Sequence, residues 1–349
     1  MITNLAKEGK GFIMKIKDIA KQAGVSTATV SNVINGNYNK VSEETVKKVQ
    51  KIIEETGYQP SATARSLAIK ESRIIGVVMP YMAEDQSFST SPYYEKMLSY
   101  LENFVRKKGY YLMVRCVQQC NEMIPILSTW NVDGVILLGP NKEEVAEIKE
   151  RLDIPTVYID SYAEGKDIVN VGIDDYKGGY LAARYLMGKG HKNIAFVGPD
   201  IEESMVVSER FRGFCDACKS RQIEVTPEHV FKAWTIYDQG VEAAKKIAFS
   251  DIKFTAVMTM SDILAFGVME GLKLCGLHVP GDISVIGFDN LPECRFSSPQ
   301  LTTVSQNLER KSRLAGEYLF QMIQNKEKLS INEKVDVEIV ERQSVKELL

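Results

Sequence analysis

Residues 15–60 read KIKDIAKQAGVSTATVSNVINGNYNKVSEETVKKVQKIIEETGYQP, and apolar residues recur through them at helical spacing in three short blocks. Ile16, Ile19, Ala20 and Ala23 predict a first helix, Val25, Val30, Val33 and Ile34 a second, and Val41, Val46, Val49, Ile52 and Ile53 a third, around one small core. Ala23-Gly24-Val25-Ser26 predicts a tight turn between the first two. Gly24 takes the positive φ that such a turn needs, and Ser26 caps the helix that follows. Ser42, preceded by Val41 and followed by Thr45, predicts the N-cap of the third. The result is a helix-turn-helix pattern.

The second helix is poor in charge and rich in short side chains: Thr27, Ala28, Thr29, Ser31 and Asn32. Side chains of this size reach base edges and phosphates in a major groove roughly 12 Å wide. Charge is segregated in the same sense. Met14 to Arg73 holds ten Lys/Arg and six Asp/Glu, a net +4, whereas from Ile74 onward 31 basic residues face 39 acidic ones, a net −8. A basic head on an acidic body fits a nucleic-acid-binding module attached to something else.

The rest of the chain has the material for a larger unit. The full sequence has 349 residues, 44% hydrophobic and 26% charged, which describes a globular protein with a sizeable core. No apolar run approaches the roughly 20 residues that span a bilayer, and Lys7, Glu8 and Lys10 interrupt any signal-peptide pattern, so the chain is expected in the cytoplasm. Cys116, Cys120, Cys215, Cys218, Cys275 and Cys294 are too sparse for a disulfide scaffold. Cys215 and Cys218 form a C-x-x-C, but inside a helix-period stretch with no strand ending before it, which argues against redox or metal use. His191, His229 and His278 share no ligand spacing with cysteines or carboxylates, and neither metal nor cofactor is expected.

After Tyr58-Gln59-Pro60 the stretch SATARSLAIKES favours a helix through Ala62, Ala64 and Ala68, yet at one to two turns it is too short to be stable alone. From Arg73 buried apolar runs alternate with helical stretches: IIGVVMP, YYLMVRCV, VDGVILLGP, IPTVYID, NIAFVGP, TAVMTM and ISVIGFD. Such alternation predicts a doubly wound α/β fold with parallel sheets covered on both faces, and ligands beyond the carboxyl ends of the strands. No G-x-G-x-x-G or P-loop follows a strand, which disfavours a dinucleotide or a nucleotide triphosphate.

The head pattern D-I-A-x-x-A-G-V-S-x-x-T-V-S-x-V-x-N-G, then V-S-x-x-T and G-Y-x-P, resembles the LacI/GalR family of transcriptional regulators. Residues 73–342 resemble that family's sensor core through G-I-D-D-Y-x-G-G-Y-x-A-x-x-Y-L, G-H-x-x-I-A-F-V-G-P, R-x-x-G-F, P-x-D-I-S-V-I-G-F-D-N and S-P-x-L-T-T-V. The resemblance implies a helix-turn-helix head at 14–59, a hinge helix at 60–72 and a two-lobed periplasmic-binding-protein-like core at 73–349. The lobes would comprise 73–173 with 304–331 and 174–303 with 332–349. Residues 1–13 match nothing in the family, and the purine-rich codons implied by Lys7 to Gly11 suggest Met14 as the native start.

Position by position, the resemblance makes Thr27, Ala28 and Asn32 the base-reading residues. Ser26, Thr29, Ser31, Asn35, Ser42 and Thr45 fall where the family contacts phosphates or caps helices, and Leu67 matches a minor-groove wedge that kinks the duplex. In the core it implies an effector cleft in which Arg210 and Asp289 grip hydroxyls, with Asp160, Ser261, Tyr93, Tyr94 and Trp234 lining it.

The protein is thereby expected to be a homodimeric repressor of a near-palindromic double-stranded operator, not an enzyme. Its allosteric effector is expected to be a sugar or sugar phosphate, with a purine as the alternative. No heptad tail follows the last strand, read as Val335 to Glu341, which favours a dimer over a tetramer. A transport-type binding protein and a sugar-acting enzyme using Asp160 and Asp289 are the rivals. The family most often has arginine where Asn32 stands, and asparagine pairs with adenine where arginine pairs with guanine. Asn32→Arg is therefore expected to shift the consensus recovered in a binding-site selection toward guanine at one position of each half-site; an unchanged consensus would refute base reading by Asn32.

Overall fold

The computed structural model describes residues 14–58, 71–80, 91–202 and 204–348. The first thirteen residues, with the proposed Met14 start that depends on them, and most of the expected hinge, including Leu67, lie outside the described set. The chain divides into two units, Met1–Ser72 and Arg73–Leu349.

In the first unit helices α1 (Ile16–Ala23), α2 (Thr27–Ile34) and α3 (Glu43–Thr56) enclose a core of Ile19, Ala20, Ala23, Val30, Val33, Val49 and Ile52. Every apolar residue of the three sequence blocks either belongs to this core or packs against it. Gly24 closes α1 at φ 69°, and its amide and that of Val25 bond back to the last turn. The chain is thereby redirected for Ser26 to start α2, its Oγ accepting from the Thr29 amide at 3.1 Å. Ser42 does the same for α3 through the Thr45 amide.

The second unit contains two six-stranded sheets. The first has the order β11-β5-β4-β3-β1-β2, all parallel, from β1 (Ile74–Pro80), β2 (Tyr111–Val117), β3 (Gly134–Leu138), β4 (Thr156–Ile159), β5 (Val169–Ile173) and β11 (Ile331–Val335). The second has the order β12-β10-β9-β8-β6-β7, from β6 (Ile194–Gly198), β7 (Val230–Lys232), β8 (Ala256–Thr259), β9 (Ser284–Asp289), β10 (Thr302–Ser305) and β12 (Glu338–Val340). Only β12 runs antiparallel to its neighbour there.

The central strands are buried along their whole length and mostly apolar, as parallel strands flanked by helices must be. The flanking helices are α4 (Pro92–Lys107), α5 (Ile124–Trp130), α6 (Lys142–Arg151), α7 (Asp175–Gly188), α8 (Met205–Ser220), α9 (Tyr237–Ala248), α10 (Asp262–Leu274) and α11 (Leu308–Asn325).

The chain passes between sheets three times: between β5 and β6, between β10 and α11, and between β11 and β12. The second lies within the stretch Thr303 to Asn307 that the resemblance implied, and the third lies later than the sequence suggested. β10 stays in register with β9 through Ser305, and β11 pairs with β5 through Val335. The third crossing therefore follows Val335 and not Asn332, which lies inside a strand. The expected single last strand from Val335 to Glu341 is two half-strands on different sheets: Val335 ends β11, and Glu338–Val340 forms β12.

The carboxyl-terminal segment is pinned by His191, which is wholly buried. Its Nε2 faces the Lys346 carbonyl at 3.1 Å and must donate, so Nδ1 accepts from the Thr255 hydroxyl at 3.0 Å and the ring is neutral. Burial holds the pKa of this imidazole below its ordinary value. The unfolded chain takes the proton more readily, so the contribution of His191 to stability is present above pH 6.5 and lost as pH falls through its folded value. The melting temperature of the His191→Gln variant should accordingly fall less between pH 7 and pH 5 than that of the parent; parallel slopes would show that His191 does not titrate on unfolding.

Candidate functional site

Two places concentrate the residues singled out from sequence. The first is the outer face of α2. Thr27, Ala28 and Asn35 are exposed there, while Thr29, Ser31 and Asn32 are half-buried. The helix carries no charged side chain. Several of its polar groups are engaged locally. Ser26 and Thr29 hydroxyls lie 2.9 Å apart, and Asn35 Nδ2 donates to Ser31 Oγ at 3.2 Å. Ser42 donates to Thr45 Oγ1 at 2.9 Å. These bonds hold the two helix entrances rigid and leave Thr27 and Ala28 as the unencumbered tip of α2.

The second is a cavity of about 760 Å³ in the second unit, beyond the carboxyl ends of β1, β3, β4, β6, β8 and β9. This is where doubly wound sheets place ligands. Tyr93, Tyr94, Asp160, Arg210, Ser261 and Asp289 all line it. Trp234 does not. Its amide donates to Gln239 Oε1 at 2.6 Å, and the next two residues, Thr235 and Ile236, form that part of the wall instead.

Arg210, Asp160 and Asp289, the charged groups deepest in the wall, each have a definite partner. Arg210 is 7% exposed, donates from Nε to Asp175 Oδ1 at 2.8 Å and from Nη1 to the Met260 carbonyl at 2.9 Å, and lies 3.7 Å from the Phe288 ring centre. Its ion-pair partner is therefore Asp175, a residue not singled out from sequence. Asp175 opens α7 behind the wall and also accepts from the Tyr162 hydroxyl at 2.7 Å. Burial pushes the Asp175 carboxyl up, and Arg210 pulls it back.

The pairing depends on how closely α7 and α8 approach. A Cβ on Gly179 would lie 1.9 Å from the Arg210 carbonyl oxygen, and one on Gly213 2.1 Å from that of Tyr176. Only glycine at both positions lets the backbones meet, and that contact delivers Arg210 to Asp175.

Asp160, at the end of β4 with φ 56°, is held by Lys311 from α11, whose Nζ lies 2.8 and 3.0 Å from its two oxygens. Tyr93 donates to the same carboxylate at 2.6 Å. Lys311 is wholly buried and also donates to Gln306 Oε1 at 2.8 Å, while Gln306 Nε2 donates to Asp289 Oδ1 at 2.5 Å. A single polar chain thus runs from Tyr93 on one lobe to Asp289 on the other, through Gln306 in the crossover.

Asp289 has φ 125°, a conformation that L-residues rarely adopt, and marks a strained strand end of the kind found at binding sites. Burial and the neighbouring Asp262 carboxyl push its pKa well above the usual carboxylate range. Asp262 is itself raised to about 6 by burial, against hydrogen bonds from Thr303, the Leu291 amide and Cys294.

Asp175, Lys311, Gln306 and Tyr162 were not singled out from sequence. The signal for Lys311 was its place on the buried face of an amphipathic helix, between Leu308 and Ala315, where a lysine must find an anion. Burial pushes the Cys215 and Cys218 thiols up to about 11 and about 12, the opposite of what redox or metal chemistry needs. Among the described residues no group of His, Cys, Asp and Glu is arranged to hold a metal ion, and no helix is long and apolar enough to cross a membrane.

Residues 15–61 match the model of bacterial regulatory proteins of the lacI family, and residues 183–345 match that of the periplasmic binding protein-like domain. The HTH-type transcriptional repressor PurR of Pasteurella multocida is 32% identical over 340 residues, covering 96% of this chain and 99% of that protein. Among solved structures, the Lac repressor bound to ONPG in its repressed state superposes with a TM-score of 0.82 at 25% identity, over 95% of this chain and 99% of that one. A LacI family transcriptional regulator from Enterococcus faecium with bound ribose superposes with a TM-score of 0.70 at 27% identity, over 79% of this chain and all of that one. With a relative this similar along nearly its whole length, the chain belongs to the LacI family of bacterial transcriptional regulators.

Proposed function

We propose that this regulator is a repressor that reads operator DNA with the α2 face and adjusts its grip when a small carbohydrate occupies the cleft. The observation that carries this reading is the coexistence of two separate recognition surfaces: an uncharged face of short side chains fixed by Ser26 and Ser42 caps, and a cleft where carboxylates and Arg210 converge beside aromatic rings.

On this reading Thr27, Ala28 and Asn32 contact bases, and Ser26, Thr29, Ser31, Asn35, Ser42 and Thr45 meet phosphates or support those that do. Leu67, with the segment 60–72, serves as hinge and wedge. A homodimer matches a near-palindromic site, each head reading one half. In the cleft Arg210 donates to ligand hydroxyls while Asp160 and Asp289 accept from them, and Tyr93, Tyr94 and Ser261 complete the wall. A sugar satisfies all of these groups at once, and a purine, the alternative for the aromatic walls, is not favoured over it by these contacts.

The polar chain through Gln306 gives ligand binding a route to the relative setting of the two lobes. Coupling of roughly 1 to 3 kcal/mol, or about 5- to 150-fold in operator affinity, is the usual scale for such a device. The test is fluorescence anisotropy on an operator recovered by selection, with and without sugars. The parent should bind with a steeply negative dependence on salt and change affinity when the effector is added. Asp289→Asn, which exchanges one acceptor oxygen for an NH2 donor without stranding a buried ion, should keep operator affinity within about twofold and lose most of the effector response. A protein with no salt-sensitive preference for any duplex over random competitor would overturn the reading.

A further inference from the structure

The charges of the cleft specify more than a sugar. Among the described residues the wall contains two cations, Arg210 and Lys142, against Glu143, Glu144, Asp160 and Glu202, without counting Asp289, which burial holds toward its neutral form. Arg210 is already neutralised by Asp175. Lys142 sits on the exposed rim, beside Glu143 and Glu144 in the first turn of α6. The buried Lys311 is committed to Asp160.

One backbone donor at each of three helix entrances is occupied as well. Helices of doubly wound folds point their amino termini at the ligand and so favour anions. Here Asn141 caps α6 through the Glu144 amide, Ser204 caps α8 through Val207 and Ser261 caps α10 through Leu264. The first turns of α6 and α10 also contain acids, Glu143 and Glu144 in one and Asp262 in the other. Only α8 among these three begins without an acid.

A phosphate or carboxylate entering this cleft would exchange water for a wall whose net charge is zero or negative. Uncharged hydroxyls meet no such opposition. They donate to Asp160 and Asp289 and accept from the remaining Arg210 N–H groups and the Ser261 hydroxyl, and the volume suits a ligand of one or two sugar rings.

We infer that the effector is an uncharged polyhydroxy compound, an unphosphorylated mono- or disaccharide, and that the cleft rejects the phosphorylated form of the same sugar. The inference rests on the reading of the cleft as the effector site and narrows its ligand class. Lys311 is the positioning residue for this preference, because it cancels the Asp160 charge from behind and leaves no ammonium facing the ligand.

Matched pairs test it: ribose and ribose 5-phosphate, glucose and glucose 6-phosphate, fructose and fructose 1-phosphate, cellobiose and cellobiose 6-phosphate. Each is titrated into the full-length protein by calorimetry at constant ionic strength, and operator release is followed in parallel by anisotropy. The expected result is that the sugar that binds does so at least tenfold more tightly than its phosphate, and that it alone changes operator affinity. Asp289→Asn should weaken the neutral sugar and narrow the gap to its phosphate.

A phosphorylated member that binds more tightly than its partner overturns the inference, and so does failure of all four neutral sugars to bind. Both leave the repressor reading intact provided that the operator complex forms. Loss of that reading would show separately, as the absence of any operator complex before a sugar is added.

Discussion

The buried ion pair between Arg210 and Asp175 is the interaction on which the cleft depends. Two opposite charges, each less than a tenth exposed, are stable together only because geometry and further hydrogen bonds offset the cost of removing both from water. Met260 and Tyr162 supply those bonds, and the Phe288 ring supplies a face for the guanidinium. Because Asp175 begins the helix after the first crossover and Arg210 belongs to the next helix, the pair fixes one lobe's wall against the strand that enters it. Everything the cleft presents to a ligand on that side is set by this arrangement.

On the other lobe the corresponding role falls to Lys311. It turns Asp160 from an isolated carboxylate into part of a chain that ends at Asp289, so the two acids facing the ligand are not independent. A ligand that bonds to both competes with, or completes, an existing network. Small changes at the ligand can then register at Gln306, in the crossover where the lobes meet.

The head of this protein was legible almost residue by residue, because helical periodicity, Gly24 and two serine caps are local signals and the core they predict is the core that forms. In the larger unit the seven apolar runs became strands, whereas β5, β7, β10 and β11 went unread and β12 was read as part of a longer last strand. β7 and β12 have three residues each, and β11 reads Ile-Asn-Glu-Lys-Val, a mixed edge strand with no apolar run to betray it. For the same reason the third crossover was placed a few residues early. Arg210, Asp160 and Asp289 were legible through their motifs, but their partners were not. Asp175 lies in the first turn of a helix, where an acid needs no special explanation. Trp234 was expected in the wall from the family position it matches, and Thr235 and Ile236 line the cavity there instead.

The glycine contact between α7 and α8 has a further consequence for how such a sensor diversifies. With Gly179 against the Arg210 carbonyl and Gly213 against that of Tyr176, neither helix can accept even one methyl group at the crossing without separating. Divergence toward new ligands is thereby steered away from this seam and into side chains that merely face the cavity, such as Ser91, Thr235 and Ile236. The guanidinium remains a fixed anchor while the surrounding surface is free to be rewritten.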